Sequence, residues 1–287
     1  MARKRDIHQE VTDAIIAKIE NGTGTWKKSW ATGLGGVALR ANGKPYKGIN
    51  QLILMFAGYS NPNWMTYKQA AELGGQVRKG EKSTTVVFFK PLKVEDKKTG
   101  DEKTIPLLRA YNVFNAEQVD ELPARFYPTT DAKHAEPKIA EAEAYLAATG
   151  AEIRHGGDRA FFSPSQDFIQ MPNFDQFDDA VSYYGTAMHE LVHWSGHEDR
   201  IDRNLKTSHG TKDYAREELV AELGAAFITA TLNIETEVRD DHAEYLSGWL
   251  TILKEDKKAI FKAATAAQKA VDYLDDLQPA DELEQAA

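Results

Sequence analysis

At 287 residues, with 42% apolar and 28% charged side chains, the chain is longer than a usual single domain and has the composition of a soluble protein with two cores. It has no cysteine, which excludes disulfides and thiolate metal sites, so any metal must be held by His, Asp or Glu. The net charge of −9 divides unevenly: residues 1–128 carry 20 Lys+Arg against 13 Asp+Glu, a net of +7, and residues 129–287 carry 15 against 31, a net of −16, which makes the first part the candidate for nucleic acid.

The opening MARKRDIHQEVTDAIIAKIENG spaces its apolar residues between charges, unlike a secretory signal, and no segment reaches the roughly 18 uninterrupted apolar residues of a membrane span. A cytoplasmic protein without membrane contact is expected. Ile7, Val11, Ile15, Ile16 and Ile19 recur at helical spacing before Asn21-Gly22, which predicts an amphipathic helix over 7–20. After the loop GTGTWKKSWATGLGG comes an apolar helix around GINQLILMFAGY. In TYKQAAELGG, Thr66 is placed to cap a short helix and Gly74-Gly75 to end it. Lys79-Gly80 suits a turn, and TTVVFF and LLRAYNVFN read as strands.

Prolines 123, 128 and 137 punctuate LPARFYPTTDAKHAEPK, so the linker between two domains, 1–128 and 129–287, is expected there. Beyond it the pattern predicts helix 136–149, strand pieces at AEIRHG and RAFFSP, and DFIQMP as an edge strand able to receive a peptide. Helices at 178–195, about 213–232 and 241–275 follow. The whole reads as α+β, with a mixed N-terminal domain and a mainly helical C-terminal domain carrying a small sheet.

The basic part interleaves cations with aromatics, the arrangement that single-strand binding needs for phosphate contact and base stacking. Trp26 and Trp30 flank Lys27 and Lys28, and Tyr46 stands between Lys44 and Lys47. Trp64, Tyr67 and Lys68 follow, then Arg78, Lys79 and Lys82. No zinc finger, RNA-recognition signature or P-loop is present.

In the acidic part, MHELVHWSGH places His189 and His193 four residues apart. On a helix that is about 40° around the axis and about 6 Å along it, so the two imidazoles converge on one ion. Glu190 lies about 100° from His189, outside the ligand set but near enough to act as general base. The next helix, YAREELVAELGAAFI, offers Glu217, Glu218 and Glu222 for a third ligand; Glu218 is the choice, with Glu222 on the same stripe supporting a ligating histidine. Three protein ligands leave a position for water, as catalytic zinc requires. Tyr183, Tyr184 and Tyr214 are candidate oxyanion donors, and His197 and His209 are further candidates near the site.

This pattern resembles that of gluzincin metallopeptidases. The longer strings HELVHWSGHEDRIDR and YAREELVAELGAAFI, with GKPYKGIN, WMTYKQAAELGGQVRKGEK and YNVFNAEQ, resemble the ArdC family of plasmid antirestriction proteins over about residues 7–275. The resemblance implies an N-terminal single-stranded DNA-binding domain, also found attached to plasmid primases, and a C-terminal zincin-like metallopeptidase domain. It further implies protection of incoming conjugative DNA from host restriction. The expected cofactor is one Zn2+ per chain, or another divalent metal. The expected partners are single-stranded DNA and an unidentified protein substrate, with a restriction-system component as one candidate. The competing reading is a non-enzymatic DNA-coating protein with a structural metal, for which Glu190 has no use. In a third, the acidic domain mimics DNA.

Overall fold

The computed structural model describes residues 5–20, 36–95, 102–127, 139–205, 210–232, 234 and 242–279. The expected linker prolines 128 and 137, the 128/129 boundary, Trp26, Lys27, Lys28, Trp30 and His209 lie at or outside the limits of these residues.

Helix α1 (Ile7–Glu20) forms where the sequence predicts it, with Val11, Ile15 and Ile19 buried along one stripe. Helix α2 (Ile49–Met55) and the short α3 (Tyr67–Glu72) follow; Thr66 caps α3 while Gln69 reaches back to the Thr66 amide, so two orphan donors are satisfied reciprocally. The N-terminal sheet runs β1 (Leu39–Arg40), β2 (Asn63–Met65), β5 (Glu102–Asn115), β4 (Thr84–Glu95) in spatial order. Strands β4 and β5 pair from Thr84↔Val113 to Glu95↔Glu102, a ribbon far longer than TTVVFF suggests. At Val87 the outer edge of β4 is closed by one side chain: Asn50 Nδ2 donates to the Val87 carbonyl (2.6 Å) and Asn50 Oδ1 accepts from its amide (2.8 Å). Strands β3 (Gln76–Val77) and β6 (Val119–Asp120) form a separate antiparallel pair.

In the C-terminal part, α4 (Ile139–Ala148) precedes a three-stranded sheet of β7 (Ile153–His155), β8 (Phe161–Ser163) and β9 (Phe168–Met171) in the order β7-β9-β8. This corrects the edge-strand expectation for DFIQMP: β9 is central, parallel to β7 and antiparallel to β8, and its residues are almost all buried because both flanks are occupied. Helices α5 (Ala180–Ser195) and α6 (Lys212–Thr231) pack closely. Gly224 permits this, since a Cβ there would lie 2.8 and 2.9 Å from the Val192 methyls. The expected helix 241–275 is two, α7 (His242–Glu255) and α8 (Ala259–Asp276), because the Asp256 carboxylate accepts from the Lys258 amide and turns the chain.

The largest core is continuous across the chain. Residues of α1 and α2, Phe56 and Val87 join the buried faces of α5 to α8. The contact also has a polar rim, in which Gln268 accepts from the Gly48 amide (2.8 Å) and Lys47 pairs with Asp272 (2.7 Å). Among the described residues, no helix is long and apolar enough to cross a membrane.

Candidate metal centre

Asp179 opens α5 by accepting from the Ser182 amide (2.7 Å), and Met188, Leu191 and Val192 anchor the helix in the core. That orientation directs His189 and His193 at α6, with ring centroids 4.9 Å apart. Glu218, 7% exposed, stands opposite: His189 Nε2 is 3.3 Å and His193 Nε2 3.5 Å from its carboxylate oxygens. Donors about 2.1 Å from a tetrahedral ion are ~3.4 Å from one another, so these separations fit a shared divalent cation. His189, His193 and Glu218 form the one such group of three among the described residues, with ligand atoms within 4.8 Å of each other.

Behind each imidazole stands a carboxylate. Glu222 Oε2 is 3.3 Å from His189 Nδ1, and Glu217 Oε1 is 3.2 Å from His193 Nδ1. Both rings therefore have an acceptor for Nδ1–H and keep Nε2 for the metal. Burial disfavours the charged imidazolium, but Glu218 and Glu222 outweigh it and hold His189 well above its ordinary pKa. His193 is raised to about 9 against the same penalty by Glu217 and Glu218. Burial pushes the Glu218 carboxyl up, and the two histidines more than reverse this, so it lies far below the usual carboxylate range. A pocket of such anionic balance attracts a cation.

Glu190, 6% exposed, follows His189 on α5 outside the three-residue group, and its charge also favours protonated His189. Glu222, expected from the sequence to support a ligating histidine, stands at His189 Nδ1. Glu217 stands instead at His193 Nδ1, and Arg203, which sequence reasoning missed, pairs with Glu217. After α5 ends at Gly196 the chain returns so that the Arg203 guanidinium donates to Glu217 Oε1 (2.8 Å), Ser195 Oγ (3.0 Å) and the Val192 carbonyl (2.5 Å). A Cβ at Gly196 would lie 2.8 Å from Arg203 Nη2, so glycine makes room for it. The only sequence signal was the basic residue closing HEDRIDR.

The tyrosine candidates fare differently. Tyr183 is buried with its hydroxyl 2.8 Å from His155 Nε2, and Tyr184 packs edge-on against it. Tyr214 lies half-buried in the first turn of α6, where Thr211 caps its amide. His197 is not a member of the group; its Nε2 is 3.1 Å from the Pro164 carbonyl and its ring is edge-on to Phe162.

Of the nucleic-acid candidates, Tyr46 and Trp64 require correction. At 4% and 2% exposure they build a core with Val86 and Val113, and no ring face is open to a base. Lys47 is exposed but paired with Asp272, and Arg78 is held by Glu81 and Asp120. Lys44, Lys79 and Lys82 are exposed, as is Lys68, 3.6 Å from Glu72. Tyr67, 55% exposed, borders an open cavity of about 540 Å³ with Gln76, Arg78, Lys79 and Phe114.

Comparison with known proteins agrees with this architecture. Residues 5–114 match the model of the N-terminal domain of anti-restriction factor ArdC, and residues 140–266 that of a zincin-like metallopeptidase. The metal-free crystal structure of the antirestriction protein ArdC from plasmid R388 superposes with a TM-score of 0.81 at 46% identity, covering 95% of this chain and 98% of that one. This chain belongs to the ArdC family. The Mn(II)-bound structure of that ArdC protein superposes with a TM-score of 0.78 at 45% identity over the same shares. The uncharacterized protein y4eC of Sinorhizobium fredii is 40% identical over 94% of this chain and 91% of its own length. A DNA primase TraC of Escherichia coli is also 40% identical over 94% of this chain, which spans 27% of the primase.

Proposed function

We propose that this chain binds single-stranded DNA through its N-terminal part and hydrolyses a protein through its C-terminal part, protecting incoming DNA in the recipient cytoplasm. The observation that carries the peptidase half is the convergence of His189, His193 and Glu218, each imidazole backed by its own carboxylate. His189, His193 and Glu218 would hold the metal, zinc being the ion best matched to two imidazoles and a carboxylate. When bound, such an ion supplies Lewis-acid polarisation of a carbonyl and activates water.

The remaining chemistry belongs to the chain's own side chains. Glu190 receives the proton from the attacking water and returns it to the leaving amine. Glu222 and Glu217 fix the imidazole orientations. Strand β8, which lies against α5 and pairs among the described residues only with β9, offers the substrate backbone an edge to extend. Single-strand binding holds any protein on the same strand near this site at high effective concentration, so the DNA supplies targeting that the cleft lacks.

The test is a proteolysis screen with DNA-bound proteins, combined with metal analysis, on wild type and Glu190→Gln. Cleavage that needs both metal and Glu190 supports the reading. A metal-bound protein that coats single strands and cleaves nothing would favour a structural metal.

A further inference from the structure

The β4–β5 ribbon carries its side chains on two faces. On one, Val87, Ala110 and Leu108 turn toward the main core. On the other, Val86 is buried beside Tyr46 and Trp64, and then the face leaves the core. There the register sets Val86 opposite Tyr111, Phe88 opposite Arg109, and Lys90 opposite Leu107. Phe88 is 44% exposed and meets Tyr111 edge-on at 5.8 Å, while Lys90 and Arg109 are exposed beside them. Tyr111 packs against the core that holds Tyr46, over whose ring Arg40 lies at 5.1 Å, so the cationic border continues. No acidic residue occurs in 84–93 or 107–115.

We infer that this face, with Phe88 and Tyr111 as its aromatic surface and Arg109, Lys90 and Arg40 as its cations, is a contact site for unpaired nucleic-acid bases and their phosphates. The inference rests on the single-strand-binding reading and assigns it a place. An exposed phenylalanine directly opposite an arginine, with no acid in 84–93 or 107–115 around them, complements a polyanion that also presents flat apolar surfaces. Only unstacked bases present such surfaces to a side chain, which selects single strands over duplex. The ribbon's face, rather than its edge, is the offered surface, because Asn50 already occupies the Val87 backbone groups.

The experiment uses the full chain and two labelled probes of equal length, oligothymidine and an abasic oligonucleotide, followed by fluorescence anisotropy across a salt series. Wild type is expected to prefer oligothymidine. Phe88→Ala should weaken oligothymidine about tenfold and the abasic strand less than twofold, with Phe88→Trp restoring affinity. Arg109→Ala should weaken both probes and lower the salt slope by roughly 0.7. Phe89→Ala, on the opposite face and similarly exposed at 53%, is the control and should stay within twofold. If wild type binds oligothymidine and Phe88→Ala binds it equally, the inference is overturned while the single-strand reading stands. Loss of oligothymidine binding in wild type itself would instead remove the reading on which the inference depends. Should sedimentation reveal a dimer that Phe88→Ala disperses with no change in DNA affinity, the face joins copies of this chain and the inference is likewise overturned.

Discussion

Glu217 joins His193 to Arg203: its Oε1 stands 3.2 Å from the imidazole Nδ1 and 2.8 Å from the guanidinium Nη2. The three side chains are all nearly buried, so the carboxylate is neutralised on one side and orients the ring on the other. Removing either support leaves an uncompensated buried charge or a freely turning imidazole.

Glu217→Gln and Arg203→Ala should each therefore reduce divalent-metal affinity about 10- to 100-fold without abolishing it. Competition with a chelator of known affinity measures this. Unchanged affinity in both variants would make the Arg203–Glu217 pair a scaffold only.

The ligands themselves behave differently. Purified protein should carry one divalent ion per chain, and His189→Ala, His193→Ala and Glu218→Gln should each lose it, since two remaining ligands hold zinc weakly. Glu222→Gln should resemble Glu217→Gln. Elemental analysis after gel filtration separates the two classes, and full occupancy in Glu218→Gln would move the third ligand elsewhere.

Helix contact beneath the site gives a stability prediction. Gly224→Ala forces a methyl against Val192, and overpacking of this kind costs about 1–3 kcal/mol, partly offset by alanine's helix propensity. Val192→Ala should restore room, so the double variant should lose less than the sum of the single losses in urea unfolding. Strict additivity would mean that the two positions do not contact.

Because α1 and α2 lie in the same core as α5 to α8, residues 1–127 expressed alone should expose Val11, Ile15, Leu52 and Phe56. The expected result is dye-binding, self-associating protein that recovers cooperative unfolding when the remaining residues are co-expressed. A monomeric fragment with its own sharp unfolding transition would contradict a shared core.

What the sequence made legible was local. The α1 stripe, the Thr66 cap and the His189–His193 pair each depend on residues a turn apart, and all appear as predicted. What it hid was set by distant partners. Val86-Val87-Phe88-Phe89 lacks alternation because the two faces of the ribbon meet different cores and solvent, so its length and its exposed aromatic were missed. Strand β9 is central only because β7 pairs with it in parallel across a long connection, and Tyr46 and Trp64 have the composition of a binding stripe but pack inward. Glu217 differs from Glu218 by one position on α6, and only the placement of α5 decides which touches an Nδ1 and which faces both Nε2 atoms.

The central claim, that protection of DNA runs through hydrolysis at this metal centre, is tested most directly by transfer of an unmodified plasmid into a restricting host carrying wild type or Glu190→Gln. The substitution is isosteric and leaves His189, His193, Glu218 and the β4–β5 ribbon unchanged, so metal content and oligothymidine affinity should stay at wild-type levels. The account predicts that Glu190→Gln then loses protection while keeping both. Protection equal to wild type by that same variant would contradict it and leave strand coating as the mechanism.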